Sequence, residues 1–239
     1  MKHNACIVSF FMDNIDMKTV GLQKSVVEKY NKSKYPHQIM RTNAPHGVSI
    51  DYAWSVNGQV NAEMAKHNIP KQTDFDIFLI LDIDAIPLHE DAIDYYIEQA
   101  ANGKLIGNAQ RSNHIDNNQH VFAAPSTAAL SRESFIKMGM PSAFETARSD
   151  VLEEYTWAAE LCGIPVDLVM PLRYDVAPQR YDWEKDQPPY WKLADGMPVY
   201  GMGTTYGRDG KDMFYHNFQI RMEGQQERFW QKCEDVLND

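Results

Sequence analysis

Paired cysteines, long apolar runs and an excess of cations are all missing from this chain of 239 residues. Cys6, Cys162 and Cys233 are odd in number and widely spaced, with no Cys-x-x-Cys among them. That excludes a disulfide framework and a cysteine zinc site, and it leads us to expect a reducing cytoplasm. The N-terminal apolar run ACIVSFFM meets Asp13 at once. It is far short of the ~20 residues that span a bilayer, and it lacks the small-residue cleavage site of a signal peptide, so it reads as a strand. Lys and Arg number 23 against 33 Asp and Glu, a net charge of −10. The long-range field would repel a nucleic-acid backbone. A small anionic ligand is admissible if a metal or a local Arg/Lys group neutralises it. No internal repeat or low-complexity tract is present.

What is present is a globular composition, 44% hydrophobic, in a length that suits one large domain. Elements alternate along it. Ala5–Phe11 reads as a buried strand, and Leu22, Val26 and Tyr30 mark one helix face. His37–Arg41 is a short strand. Tyr52, Val56, Val60 and Met64 suggest a helix with Asp51 as its N-cap. Asp76–Ile83 reads as a strand, Asp91 to Asn102 as a helix ended by Gly103, and Lys104–Ala109 and His120–Ala124 as strands. Ser131 caps a short helix, Ser149–Cys162 forms another, Val166–Met170 is a strand, and Phe229, Cys233, Val236 and Leu237 line a C-terminal helix. This order predicts a Rossmann-like α/β domain: a mixed, mostly parallel sheet flanked by helices. Residues 173–212, rich in proline, glycine and aromatics, read as a long functional loop.

The most informative stretch is FLILDIDAIPL, Phe78 to Leu88. Alternation along a strand puts Asp82 and Asp84 on one side and Ile83 on the other. Pro87, with no N–H, helps end the strand. In open α/β sheets ligands bind at the C-terminal strand edge. Two same-side carboxylates there suit a hard cation, Mn²⁺ or Mg²⁺, with the remaining positions left for water or phosphate oxygens. The bland alternative is that both aspartates cap a turn.

FLILDIDAIPL is similar to the Asp-x-Asp strand of glycosyltransferases of the A fold, which use nucleotide-sugar donors. The order of CIVSFFMDN, YAWSVNGQVNAEMAKHN, ARSDVLEEYTWAAELCGIPV and DMFYHNFQIR around it resembles that family over most of the chain. The resemblance implies a single domain over residues 1–239. Its first half, 1–110, would hold the nucleotide sugar. Its second, 111–239, would hold the acceptor, with the 173–212 loop. It implies transfer from a UDP- or GDP-sugar to an acceptor hydroxyl, with His216 completing the metal shell beside Asp82 and Asp84. An imidazole ligand favours Mn²⁺ over Mg²⁺. His216 could instead belong to an aromatic cluster with Phe214 and Tyr215. His46 and His120 read as loop residues.

The resemblance also makes Phe11, Asp13, Asn14, Thr42 and Asn43, at the ends of the first two strands, candidates for the nucleotide. Turn chemistry and, for Phe11, core packing are the alternatives. Asn57 shares a helix face with Asn61 and could look toward the donor or toward water. Arg208 and Lys211, in the glycine-rich YGMGTTYGRDGKD, would close over a diphosphate, unless that segment is simply a solvated hairpin. Asp150, Glu153 and Glu154 are the best-placed acids for a base. Asp-x-x-Glu is also a capping-box start. Ser149 stands where the family has an acidic pair, so the base, and the choice between inverting and retaining chemistry, stay open. Tyr181, Trp183, Tyr190 and Trp191 offer an acceptor platform or loop anchors. The competing functions are a phosphatase-like hydrolase, for which Ile86 stands where Thr is expected, a nucleotidyltransferase, for which the first strand lacks a glycine-rich signature, and a non-catalytic nucleotide-sugar-binding module.

Overall fold

A computed structural model describes residues 3–54, 75–112, 120–176 and 202–239. Strand β1 (Ala5–Phe11) is buried along its whole length, because helices cover both of its faces. Helix α1 (Met17–Tyr30) starts where Asp16 accepts from Lys18 N at 2.7 Å, an N-cap bond. Strand β2 (His37–Arg41) and strand β3 (Ile77–Leu81) pair in parallel on either side of β1. Helix α2 (His46–Trp54), the short β4 (Ala85–Pro87) and helix α3 (Ala92–Ala101) follow, and Gly103, at φ +80°, ends α3 as expected. Strands β5 (Leu105–Arg111) and β6 (Val121–Ser131) are antiparallel. Ser131 caps helix α4 (Arg132–Lys137) by accepting from Ser134 N. Helix α5 (Glu153–Leu161) precedes β7 (Val166–Val176), the β8 (Met202–Arg208) and β9 (Lys211–His216) hairpin, and helix α6 (Gln225–Asn238).

The strands form one mixed sheet in the order β2-β1-β3-β6-β5-β7-β8-β9-β4. It is parallel at β2-β1-β3 and at β5-β7. Its core lies on both faces. Trp54 of α2 stacks on Phe135 of α4 at 4.5 Å and meets Phe78 of β3 edge-on, while Tyr96 of α3 packs on Phe214 of β9. Each such fully buried side chain contributes roughly 1.5–3 kcal/mol. No helix among the described residues is long and apolar enough to cross a membrane.

Three expectations need correction. Strand β6 runs on to Ser131 past Pro125, because Ala124 and Ala128 pair with adjacent residues of β5 and the residues between them bulge out. A bulge tolerates a proline that the ladder would not. Asp51 is not an N-cap. It lies within α2, buried, and accepts from Ser142 Oγ and Ala143 N, both at 2.6 Å, and from Tyr155 Oη at 3.1 Å. Helix α5 begins at Glu153, after Leu152 in a left-handed conformation, and not at Ser149. In the glycine-rich run the alternative reading is the one observed: its described residues form a hairpin with a two-residue turn, Asp209 and Gly210 both at positive φ. Of the loop expected at 173–212, residues 177–201 lie outside the described residues, as does most of the helix expected after Tyr52.

Candidate metal and nucleotide site

Strand β3 stops at Leu81, and the chain turns at once, with Ala85 N donating to Asp82 O at 2.9 Å. Asp82 and Asp84 therefore share a side through a turn, not through strand alternation. Three contacts hold that turn. Asp82 N donates to Ser126 O, which the β6 bulge presents. Gln23, fully buried on α1, donates to Asp82 O at 2.6 Å and Ala85 O at 3.1 Å. Asn217 N donates to Asp84 O at 2.8 Å. The short β4 then pairs with β9 and sets Ala85 opposite His216. That pairing brings His216 Nε2 to 3.4 Å from Asp84 Oδ1, although 131 positions (216 − 84 less one) separate them in sequence. Ligand atoms of Asp82, Asp84 and His216 all lie within 4.8 Å of one another.

On the other side of Asp82, His46 Nε2 sits 3.0 Å from Oδ1. Burial opposes charge on both imidazoles. The carboxylates outweigh it and raise both pKa values: Asp82, then Asp84 and Asp150, act on His46, and Asp84, then Asp82, act on His216. Burial likewise opposes ionisation of Asp82, yet His46 and His216 hold its carboxyl below the ordinary range. Both carboxylates act on both histidines, so negative charge gathers at this point of the cavity wall. The donor set of two hard carboxylates and one imidazole, close together at a cavity wall, fits Mn²⁺ or Mg²⁺ with positions to spare.

The cavity beside these residues has a volume of about 390 Å³. Phe11, Asn14 and Thr42 line it. Asp13 and Asn43 do not. Asp13 accepts from Arg41 Nε at 2.5 Å and from Asn43 Nδ2 at 3.2 Å, and these bonds lower its pKa. Asn57 and Asn61, and the aromatic residues Tyr181, Trp183, Tyr190 and Trp191, lie outside the described residues.

The three candidate acids have different fates. Asp150 lines the cavity, touches Gln110 Nε2 at 3.5 Å and accepts from Val151 N at 2.8 Å. Glu153 is fully buried and accepts from Ser112 Oγ at 2.8 Å, His120 Nδ1 at 2.7 Å and Asp150 N at 2.8 Å. The last of these closes the turn that precedes α5, in which Glu153 N donates back to Asp150 O at 3.1 Å, so the expected capping box is not formed. Glu154 is bound by Arg148 at 2.6 and 2.9 Å and by Ser149 and Thr146, and the Arg148 bond pushes its carboxyl down to about 2. A base must be reachable by the acceptor, and of the three only Asp150 lines the cavity.

Arg208 and Lys211 are not brought to the site. Arg208 pairs with Asp167, and Lys211 Nζ with Asp91 at 2.6 Å. Four residues of β9 lie between Lys211 and His216, which puts the two roughly 17 Å apart along the strand. His120 precedes the first residue of β6, outside any helix or strand as expected, but it is not idle: it pairs with Glu153 and stacks on Trp157 at 3.8 Å. Sequence reading passed over Gln23, Gln110 and Arg221, and it read His46, which opens α2, as a loop residue. Arg221 is the one Lys or Arg among the described cavity-lining residues, and no described acid pairs with it. A cation five positions after His216 was the available signal.

No family model matches the chain, and no curated protein matches it. Among solved structures it is similar to a glycosyltransferase involved in glycosylation of the major capsid of PBCV-1, at 12% identity and a TM-score of 0.46 over 97% of this chain and 98% of that one. It is also similar to the catalytic domain of Drosophila β1,4-galactosyltransferase 7 in complex with xylobiose, at 12% and 0.46 over 95% and 79%. A mutant of that enzyme has been crystallised with manganese, UDP-Gal and xylobiose. The galactosyltransferase LgtC, with donor and acceptor sugar analogues, gives 12% and 0.42 over 96% and 95%. At such scores and identities the likenesses carry no argument about substrate, which rests on the chemistry of the site.

Proposed function

We propose that the chain is a metal-dependent glycosyltransferase that moves a sugar from a nucleoside-diphosphate sugar, a UDP- or GDP-sugar, to an acceptor hydroxyl. The observation that carries this reading is the cluster of Asp82, Asp84 and His216 on the wall of a cavity that also holds Asp150. The bound cation, Mn²⁺ or Mg²⁺, would be held by those three residues and would supply Lewis-acid stabilisation of negative charge on the leaving diphosphate.

The chain's own groups have separable tasks. Phe11 offers a ring for the base, and Asn14 and Thr42 offer hydrogen bonds to base or ribose. Arg221 gives the diphosphate a second positive contact, the task that the hairpin cations Arg208 and Lys211 do not reach. Asp150 accepts the proton of the acceptor hydroxyl as that oxygen attacks the anomeric carbon. Gln110 and Val151 N orient its carboxylate, and buried Glu153 anchors its backbone. On this reading residues 1–110 chiefly hold the donor. The later half supplies His216, Arg221 and the base.

The test is direct. Purified protein with Mn²⁺ and a panel of UDP- and GDP-sugars should release nucleoside diphosphate slowly without acceptor, and EDTA should stop it. Neither binding nor turnover with any sugar nucleotide and any divalent metal would overturn the proposal. Metal-dependent binding without turnover would favour a non-catalytic binding module.

A further inference from the structure

The proposed metal site uses three ligands, yet a fourth side chain touches it. His46 Nε2 lies 3.0 Å from Asp82 Oδ1, and His46 is outside the cluster that Asp82 forms with Asp84 and His216. It is therefore a partner of a ligand and not one of the three. An ionised carboxylate only accepts, so the proton in this contact sits on His46 Nε2.

The placement of His46 is built into the fold. It opens α2, and its side chain lines the cavity. The next residue, Gly47, packs so closely that a Cβ would meet Ala143 O and Phe144 Cα at 2.7 Å. One turn on, Asp51 accepts from Ser142 Oγ, Ala143 N and Tyr155 Oη, which ties α2 to the segment that leads to Asp150. The helix has little freedom to move His46 away from Asp82. The turn that carries Asp82 is held as firmly, by Gln23 and Ser126 O.

We propose that His46 is a positioning residue of the metal site. Its hydrogen bond engages Oδ1 of Asp82, fixes the carboxylate rotamer and leaves Oδ2 for the cation. Partners of this kind typically govern metal affinity by about ten- to a hundredfold. The inference rests on the metal reading above, and its test separates the two.

Mn²⁺ alone is titrated calorimetrically into the full chain and into His46→Ala, His46→Leu, His46→Gln and Asp84→Asn, with thermal melts as a control. His46→Ala and His46→Leu should bind Mn²⁺ about ten- to a hundredfold more weakly with melts near wild type. His46→Gln, which keeps a donor, should recover most of the loss. Asp84→Asn should abolish binding. If His46→Ala and His46→Leu match wild-type affinity while Asp84→Asn loses it, His46 merely lines the cavity and this inference falls while the metal site stands. Tighter binding by His46→Ala would mean that the imidazole competes with the cation, which also overturns it. Unchanged binding by Asp84→Asn would remove the metal site and the inference together.

Discussion

The two ends of strand β9 handle charge in opposite ways. At the hairpin end, Lys211 is paired with Asp91, and Arg208, one strand over, with Asp167. At the other end, His216 meets Asp84 while Asp82 and Asp150 share the same cavity. The hairpin end is electrostatically finished, so a ligand there would have to break ion pairs before making its own. The His216 end carries more carboxylates than fixed cations, and its one guanidinium, Arg221, pairs with no described acid. Burying such groups uncompensated is costly. An end of the sheet that leaves them under-compensated is where an external cation and anion would bring the largest gain.

The sharpest way to break this contrast is Asp84→Asn. Metal-dependent nucleotide binding should vanish, while the melt stays close to wild type because the site is at a cavity wall. Calorimetric titration of UDP and GDP with and without Mn²⁺ measures it. Retained metal dependence would mean that this end of β9 is as finished as the other.

Next in size is Asp150→Asn. Transfer to an acceptor should fall about a hundred- to ten-thousandfold with donor affinity nearly intact. Stopped assays with saturating acceptor check this. Full activity would exclude Asp150 as base and point to a retaining mechanism, since Glu153 and Glu154 are committed to other partners.

A paired comparison follows. Arg221→Ala should weaken nucleoside diphosphate binding about tenfold or more, the worth of one charge-assisted contact. Arg208→Ala should leave that binding unchanged and cost at most about 1 kcal/mol of stability, as expected of a partly exposed ion pair. Equal effects of the two substitutions on nucleotide affinity would erase the difference between the two ends.

The smallest effect concerns acid. Glu154 has its carboxyl lowered from 4.5 to about 2 by Arg148, so its stabilisation is complete above the unfolded value and fades as pH falls toward the folded one. Glu154→Gln should be less stable than wild type at neutral pH by at most about 1 kcal/mol, because Arg148 is largely exposed. The deficit should shrink below about pH 4.5 and be gone near pH 2 in urea titrations. A deficit constant with pH would show that Glu154 acts through packing.

Some of this was written in local sequence. The fully apolar β1, the α1 stripe, the Ser131 cap and the glycine that ends α3 are matters of neighbouring residues and periodicity, so they could be read directly. Asp82 and Asp84 stand out for the same reason: an apolar strand that ends in two carboxylates announces its own anomaly. The three acids after Ser149 were visible as a group but not separable. Which acids are held away from the cavity depends on Ser112, His120 and Arg148, and only folding brings the first two to Glu153.

Local pattern thus determined that the chain is an α/β protein with an acidic strand end, because periodicity and turn chemistry act over a few residues. Tertiary structure decided which groups that end would own. The β4–β9 pairing, not any motif, delivers His216 to Asp84 and carries Lys211 away from it. The start of α2, anchored through Asp51 to residues 142–143, brings His46 to Asp82. Glycine density could mark a turn but not its destination. A hydrogen bond or ion pair between residues far apart in sequence depends on strand order and register, which no short window of sequence contains.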